Sequence, residues 1–397
     1  VHSPTRIGEI TLRLLPASHI LGAAMVYLET PEGNLLFTGD YSVSSQLTVP
    51  GLTQPELRPH LVVTEATYGD RFHEDRSRAE ARIIDQVREV IEGGGRVLIP
   101  AFAVGRAQEV LLILKRALKR GALPAVPVFA DGMVRAVCEV YGRHPRYVSR
   151  GLAHDIRREP HPFYTGGIHP VLRPSDRAEV LRAGPTIIVA SSGMLSGGAS
   201  SFYAAELAKE PLDAIFITGY QDEESPGRAL LNLAESDGPG ELRVGGRVVP
   251  VACRVEKYGL SAHADRMQMV GLLDRLQPFT VALVHGDGGA KQALADNLSC
   301  RDVVVAEDGL VLSRRYKNRP RSAAPGSTSP ARSEVDAEQL DIDAARRLLG
   351  PPTDRAIPAR RIAEALWGGR PSRVAVEALI LRLETLELVR RDDERRS

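Results

Sequence analysis

Short apolar runs recur along the chain, and their period changes twice. Ala24 to Thr30 is a short apolar strand, Pro31-Glu32-Gly33-Asn34 has turn chemistry, and Leu35 to Thr38 runs back beside it, which predicts a β-hairpin. A hairpin folds its outer ends together, so His19 and Asp40, just outside the two arms, are expected on loops at one end of a sheet. From Glu74 the pattern becomes strands alternating with helices. Ala79, Ile83, Val87, Val90 and Ile91 recur at helical spacing, Gly93-Gly94-Gly95 stops that helix, and Val97-Leu98-Ile99 is a short buried strand. A helix over Ala107 to Lys119, strands at Val126 to Ala130, Thr186 to Ala190 and Ala214 to Thr218, and a helix from Ser200 to Lys209 continue the alternation. Such order predicts βαβ crossovers and a mostly parallel sheet covered on both faces. Leu242 to Val255 then reads as an antiparallel hairpin around Gly245-Gly246. A helix (Asp265 to Leu276), a strand (Thr280 to Val284), a helix (Ala290 to Leu298) and two final short strands follow.

Residues 314 to 334 are rich in Pro, Ser and Arg, with little apolar content, and read as a basic linker. Beyond it, Ala337 to Leu349, Ala359 to Trp367 and Val374 to Leu388 have helical periodicity, and Leu388-Val389-Arg390-Arg391 resembles a short strand. Both a winged-helix-like module and a small helical dimerisation or docking bundle fit this pattern.

Composition narrows the class. The 397 residues are 43% hydrophobic, enough for two or three domains with proper cores. Lys and Arg total 51 against 50 Asp and Glu, so a nucleic-acid partner has to be met by a local basic surface and not by a global field. Cys138, Cys253 and Cys300 are scattered without paired spacing, which argues against a disulfide framework or a cysteine zinc cluster and points to a reducing cytoplasm. No apolar run approaches the roughly 20 residues that span a bilayer, and Val1-His2-Ser3-Pro4 opens no signal peptide.

Candidate chemistry sits directly after apolar strands, where crossover topology gathers loops at one sheet edge. Val62-Val63-Thr64 leads to Glu65, Ile187 to Ala190 leads into Ser191-Ser192-Gly193-Met194, and Ile215 to Thr218 leads to Gly219-Tyr220-Gln221. His263 lies in LSAHAD before a helix and His285 in ALVHGD after a strand. Taken singly, His263 reads as a cap or packed histidine and His285 as a satisfied loop residue. The SSGMLSGG loop between a strand and a helix has backbone N–H groups able to hold a phosphate. Arg106 and Arg228 are candidate phosphate contacts, with a surface ion pair as the alternative.

Six motifs in order, ASHILGAAM, FTGDYS, TEATYG, PAFAVGRAQE, SSGMLSGG, and LSAHAD followed by LVHGD, resemble the metallo-β-lactamase-fold nucleases of the β-CASP family, which include the pre-mRNA cleavage endonuclease and ribonuclease J. The match runs from about Leu14 to about Leu312. The resemblance implies that His19, Asp40 and His285 ligate metal, with Asp40 bridging two ions, and that Glu65 and His263 form a proton-handling pair facing the scissile phosphate. Zn²⁺, two per complete site, is the implied cofactor, with Mn²⁺ as an alternative. Single-stranded RNA is the implied substrate, because a histidine at the position of His285 resembles the RNA-cleaving branch. A homodimer and a cytoplasmic location complete the expectation, with no membrane.

The resemblance also implies an architecture: a partial αββα sandwich from residues 1–68 and 258–313, a parallel-sheet insertion over 69–257, the linker 314–334 and a helical or winged-helix-like module over 335–397. The sequence departs from the family in lacking the opening His-x-His-x-Asp-His loop; His263-Ala264-Asp265 imitates part of it without the outer histidines. His2, His60, His73, His144, His154, His161 and His169 form no such spacing. About half a two-metal site is therefore expected, together with a sheet face left uncovered. A fragment of a nuclease, favoured by the intact remaining ligands and the absence of an initial Met, is weighed against a non-catalytic RNA-holding scaffold. A small-molecule hydrolase is a third reading, disfavoured by the large insertion between Glu65 and His263.

Overall fold

In the computed structural model, which describes residues 3–53, 56–236, 240–300, 302–316, 342–349, 359–367, 373–386 and 388–389, the apolar runs assemble into two large sheets and a small hairpin. Strands β1 (Thr5–Ile7), β2 (Ile10–Pro16), β3 (Ala24–Thr30) and β4 (Gly33–Phe37) form an antiparallel meander, and β5 (Leu61–Glu65) joins β4 in parallel. The expected hairpin is present, with Thr30 paired to Gly33, so that only Pro31 and Glu32 make the turn.

The chain then builds the second sheet. It runs through α1 (Arg76–Glu92), β6 (Val97–Pro100), α2 (Arg106–Lys119), β7 (Val128–Asp131), α3 (Val134–Arg143), α4 (Arg150–Arg158), β8 (Ile168–Pro170), α5 (Arg177–Arg182), β9 (Ile187–Ala190), α6 (Gly198–Leu207), β10 (Ala214–Ile217) and α7 (Pro226–Glu235). The hairpin β11 (Gly240–Val244) and β12 (Arg247–Val251) precedes β13 (Arg254–Lys257). The six strands run in the order β13-β10-β6-β9-β7-β8, all parallel. Every residue of β6, β9 and β10 is buried, as expected for strands with helices on both faces. The hairpin read from Leu242 to Val255 is shorter than expected. The Ala252 and Cys253 N–H groups both donate to the Ala208 carbonyl (2.7 and 3.1 Å), which breaks the strand and lets β13 join β10 instead.

The return segment, α8 (Arg266–Leu276), β14 (Thr280–Val284), α9 (Gly288–Ala295) and β15 (Asp302–Val305), adds β14 and β15 in parallel beside β5, completing the order β1-β2-β3-β4-β5-β14-β15. The second of the two expected final strands is not formed. The chain turns at Gly309 (φ +81°), the Leu310 N–H donates to the Glu307 carbonyl, and Val311 stands 89% exposed with no strand beside it among the described residues.

Helices α10 (Ile342–Leu349), α11 (Ala359–Trp367) and α12 (Arg373–Thr385) follow. Strand character at Leu388 and Val389 is not observed: the Leu388 N–H donates to the Leu383 carbonyl and closes α12. The remainder of that expected strand, and the linker beyond Tyr316, lie outside the described residues. Among the described residues no helix is long and apolar enough to cross a membrane.

The seven-stranded sheet has two unlike faces. Met25, Tyr27, Leu36, Val62, Val281 and Leu283 bury against Met267, Val270 and Leu273 of α8, and the same core takes in Leu348, Ile362, Leu379 and Leu383 of the last three helices. On the opposite face, pairing aligns Leu12, Leu28, Leu35 and Leu61 in one row and Leu14, Val26, Phe37 and Val63 in the next. This face is partly open, with Leu14 42% and Phe37 39% exposed, as expected for one layer of a sandwich.

Candidate metal centre

Strand direction places the polar residues. Strands β2, β4, β5 and β14 point the same way, so the segments leaving their carboxyl ends meet at one edge, the usual ligand edge of a parallel arrangement. His19 follows β2, Asp40 follows β4, Glu65 ends β5 and His285 follows β14. Antiparallel β3 begins at that edge, which is why the two arms of the hairpin bring His19 and Asp40 together.

The side chains converge. His19 Nε2 lies 3.9 Å from Asp40 Oδ2, and His285 Nδ1 lies 2.8 Å from Asp40 Oδ1. His263 Nδ1 lies 2.7 Å from Glu65 Oε2, and the His263 ring is 4.5 Å from His19 and 6.0 Å from His285 between centroids. Ligand atoms of His19, Asp40 and His263, and likewise of Asp40, Glu65 and His285, lie within 4.8 Å of one another. Asp40 belongs to both groups.

Each group is held from behind. His19 Nδ1 donates to the Ala262 carbonyl (3.0 Å), which leaves the Nε2 lone pair facing Asp40. Burial, then the neighbouring His263, pushes the His19 pKa below its ordinary value and favours the neutral ring. Glu65 is 1% exposed; its Oε1 accepts the Tyr41 N–H (2.8 Å), and its Oε2 accepts the Thr67 hydroxyl (2.6 Å) and His263 Nδ1–H. A buried carboxylate with three donors has its hydrogen-bonding capacity well met. His285 adopts a left-handed φ of 43°, and its carbonyl accepts the Ala66 N–H (2.9 Å), which ties the two ligand loops together.

Residues not singled out from the sequence complete this support. Thr67, in the TEATYG motif, fixes Glu65. His73 approaches the His263 carbonyl with Nε2 (3.2 Å) and meets the Tyr68 ring edge-on, while its N–H donates to Asp265. Asp265 also caps α8 through the Gln268 N–H and receives Arg361 of α11. No spacing rule joins His73 or Arg361 to LSAHAD; only folding does.

The donor set suits a divalent transition metal. Neutral imidazole and carboxylate are zinc ligands, and a carboxylate shared by two donor groups is the arrangement a bridged pair of ions requires. His19, Asp40 and His263, and Asp40, Glu65 and His285, are the two groups that could hold metal here.

The other expected contacts do not touch this cluster through any hydrogen bond or ion pair among the described residues. Ser191 Oγ accepts the Met133 N–H (3.2 Å), Ser192 Oγ accepts the Ser196 N–H (3.2 Å), and the Gly193 carbonyl accepts Gln221 Nε2–H (2.9 Å), so these loop groups are bonded within the loop or to the neighbouring segments at Met133 and Gln221. Arg228 donates to the Gln221 carbonyl (2.9 Å). Arg106 is not the surface ion pair that its sequence context allowed. It is buried at the start of α2, its pKa is pushed down to about 10 by burial and by Arg76, and its Nη1 has no hydrogen-bond partner among the described residues.

Comparison with known proteins gives a consistent result. Residues 107–230 match the Beta-Casp domain, and residues 248–307 match a Zn-dependent metallo-hydrolase RNA specificity domain. Transcription termination factor FttA of Methanothermobacter thermautotrophicus is 33% identical over 304 residues, covering 73% of this chain and 47% of that protein. Endoribonuclease ysh1 of Schizosaccharomyces pombe is 32% identical over 311 residues, 77% of this chain and 40% of that protein. An RNase J-like protein of Methanocaldococcus jannaschii is 32% identical over 283 residues, 70% of this chain and 64% of that protein. The chain thus spans about half the length of the FttA relatives it matches. With the ordered motifs, the two matched domains and these relatives in agreement, the chain belongs to the β-CASP family of metallo-β-lactamase-fold proteins.

Proposed function

We propose that the protein hydrolyses phosphodiester bonds of single-stranded RNA in a metal-dependent reaction, in RNA processing or decay. The observation that carries this reading is the single edge where His19, Asp40, Glu65, His263 and His285 meet, the last two within the segment matched as an RNA specificity domain. His19, Asp40 and His285 would hold zinc, two ions in a complete site, with manganese as an alternative. When bound, such ions would supply activation of water near neutral pH and a counter-charge for phosphorus.

The chain's own residues do the rest. Glu65 accepts from His263 Nδ1, which fixes the ring's tautomer and leaves Nε2 to exchange a proton with the leaving oxygen. Tyr41 N–H and Thr67 hold Glu65 in place, so the pair is preorganised before substrate arrives. The loop at Ser191, Ser192 and Gly193, together with Arg106 and Arg228, is proposed to line the RNA path. The orphaned Arg106 Nη1 supports a phosphate partner for that residue.

The second reading is an RNA-holding protein without cleavage. Incubation of end-labelled single-stranded RNA with the protein, in Zn²⁺ or Mn²⁺ and in chelator, separates the two. Metal-dependent cleavage that disappears in Asp40→Ala supports the first. RNA retained but uncut under every metal condition removes it and leaves the second.

A further inference from the structure

Outside the histidine cluster, a cavity of about 690 Å³ opens beside α4, lined by Pro145, Arg146, Val148, Arg150, Ala153, His154 and Arg157. Its composition follows from helix geometry. Arg150, His154 and Arg157 stand at i, i+4 and i+7 and share one exposed face, with the small, buried Ala153 (i+3) at its edge, while Leu152 buries the other face into the core. Arg146 joins them from the preceding turn. The acidic residues of α4 and its end point elsewhere: Asp155 and Glu159 both face Lys115, at 3.8 and 2.8 Å. Arg146, Arg150 and Arg157 have no carboxylate partner among the described residues, and the side-chain hydrogen bond of His154 is to Arg158 (3.4 Å). Val148 and Ala153 supply an apolar floor.

Three unneutralised guanidinium groups converging on one groove make a polyanion site. An isolated surface arginine is commonplace, but three around one cavity without a carboxylate raise the local positive potential in a chain whose net charge is only +1. Guanidinium forks match phosphate oxygens in pairs, and an apolar floor suits ribose or base. The groove is also joined to the metal edge by one loop. Gln46 Nε2 donates to the His19 carbonyl (2.9 Å), and the next two residues receive α4: Ser149 Oγ–H donates to the Leu47 carbonyl (2.6 Å) and Ser149 N–H to the Thr48 carbonyl (2.8 Å).

We propose that this groove is a second anchoring site for the RNA backbone, in which Arg146, Arg150 and Arg157 hold phosphates of the strand away from the metal edge. The proposal rests on RNA being the substrate, and it adds a contact surface separate from the reacting centre. It fixes where the strand runs, along α4 and the loop carrying Gln46, and it makes affinity separable from cleavage.

The test is the salt dependence of binding of labelled single-stranded RNA, followed by fluorescence anisotropy in chelator so that cleavage does not intervene. Arg146→Gln, Arg150→Gln and Arg157→Gln are combined in one variant. Arg78→Gln, Arg120→Gln and Arg243→Gln, exposed residues elsewhere without ion pairs among the described residues, give the same loss of charge in a second variant. At about 0.7 released counterions per phosphate contact on a single strand, the groove variant should lower the slope of log K against log salt by about 2. Its affinity at low salt should fall at least about tenfold, and the control variant should keep the wild-type slope. Arg150→Gln alone should lower the slope by about 0.7, which keeps the test decisive if the triple variant folds poorly. Equal slopes for groove and control variants, with tight wild-type binding, overturn the groove and leave the RNA reading standing. No RNA binding by the wild-type protein overturns both.

Discussion

Glu109, in the PAFAVGRAQE motif, carries no chemistry in the site, yet its loss should be felt strongly. It is wholly buried, and its Oε1 accepts the Leu47 N–H (2.7 Å) and Arg76 Nη2–H (2.7 Å), while its Oε2 accepts the Thr48 N–H (2.9 Å) and hydroxyl (2.8 Å). It therefore ties α2 of the parallel sheet to the loop that carries Gln46 to the His19 carbonyl. In Glu109→Gln the amide oxygen can keep one pair of donors, but the amide nitrogen then opposes the other. With the oxygen at the Oε1 position, the Thr48 N–H is left unsatisfied, at about 1–3 kcal/mol, while the Thr48 hydroxyl can rotate to accept. The bonds from Arg76 and Leu47 become charge–neutral and neutral, a loss of about 1 kcal/mol each. The total is about 3–5 kcal/mol. At roughly 2–4 °C per kcal/mol for a domain of this size range, the melting temperature should fall by about 10 °C. Thermal unfolding followed by circular dichroism reads this directly. Thr48→Val, which removes one hydroxyl, should cost about 1 kcal/mol, and the double variant should show coupling of about 1 kcal/mol or more. A shift within about 2 °C for Glu109→Gln would refute the reasoning, since a buried carboxylate with four donors cannot be replaced so cheaply.

Further outcomes follow from other residues. Glu65→Gln should lower the turnover rate on RNA by about 10²–10⁴ with a smaller change in KM and unchanged metal content, because it disturbs the His263 tautomer; rates within threefold of wild type would exclude a proton role. Arg361→Met should destabilise the protein by about 3–5 kcal/mol in urea unfolding, because it leaves the wholly buried Asp265 without its counter-ion, and adding Asp265→Asn should restore part of the loss. An unchanged midpoint would mean that α11 does not hold the LSAHAD loop. Burial pushes the Cys138 and Cys253 thiols up to about 11 and about 12, so little thiolate forms at pH 8 and their labelling should rise tenfold per pH unit toward those values. At pH 8 the half-buried Cys300 should react first in the native protein and all three in denaturant; equal rates in the native state would contradict the packing.

Sequence alone determined the local elements and the family. The hairpin from Ala24, the helix after Asp75, the buried runs of β6, β9 and β10, and the strand-end positions of Asp40, Glu65 and His285 are legible because each depends on residues within one element or one turn. The ordered motifs carried the expectation that these residues share a site. Tertiary structure decided what no local pattern contains. Arg106, read as a phosphate contact or a surface ion pair, is buried, because the start of α2 packs against the loop that follows β2: a Cβ on Gly105 would come within 2.4 Å of Ile20. The hairpin expected to reach Val255 ends at Val251 because the Ala208 carbonyl, 44 residues earlier in number (252 − 208), captures its backbone. His73, Asp265 and Arg361 meet behind His263 only because α11 lies against α8. Local propensity is set by neighbours in the chain, whereas burial and charge pairing are set by which distant faces come together, and that information is distributed over the whole core.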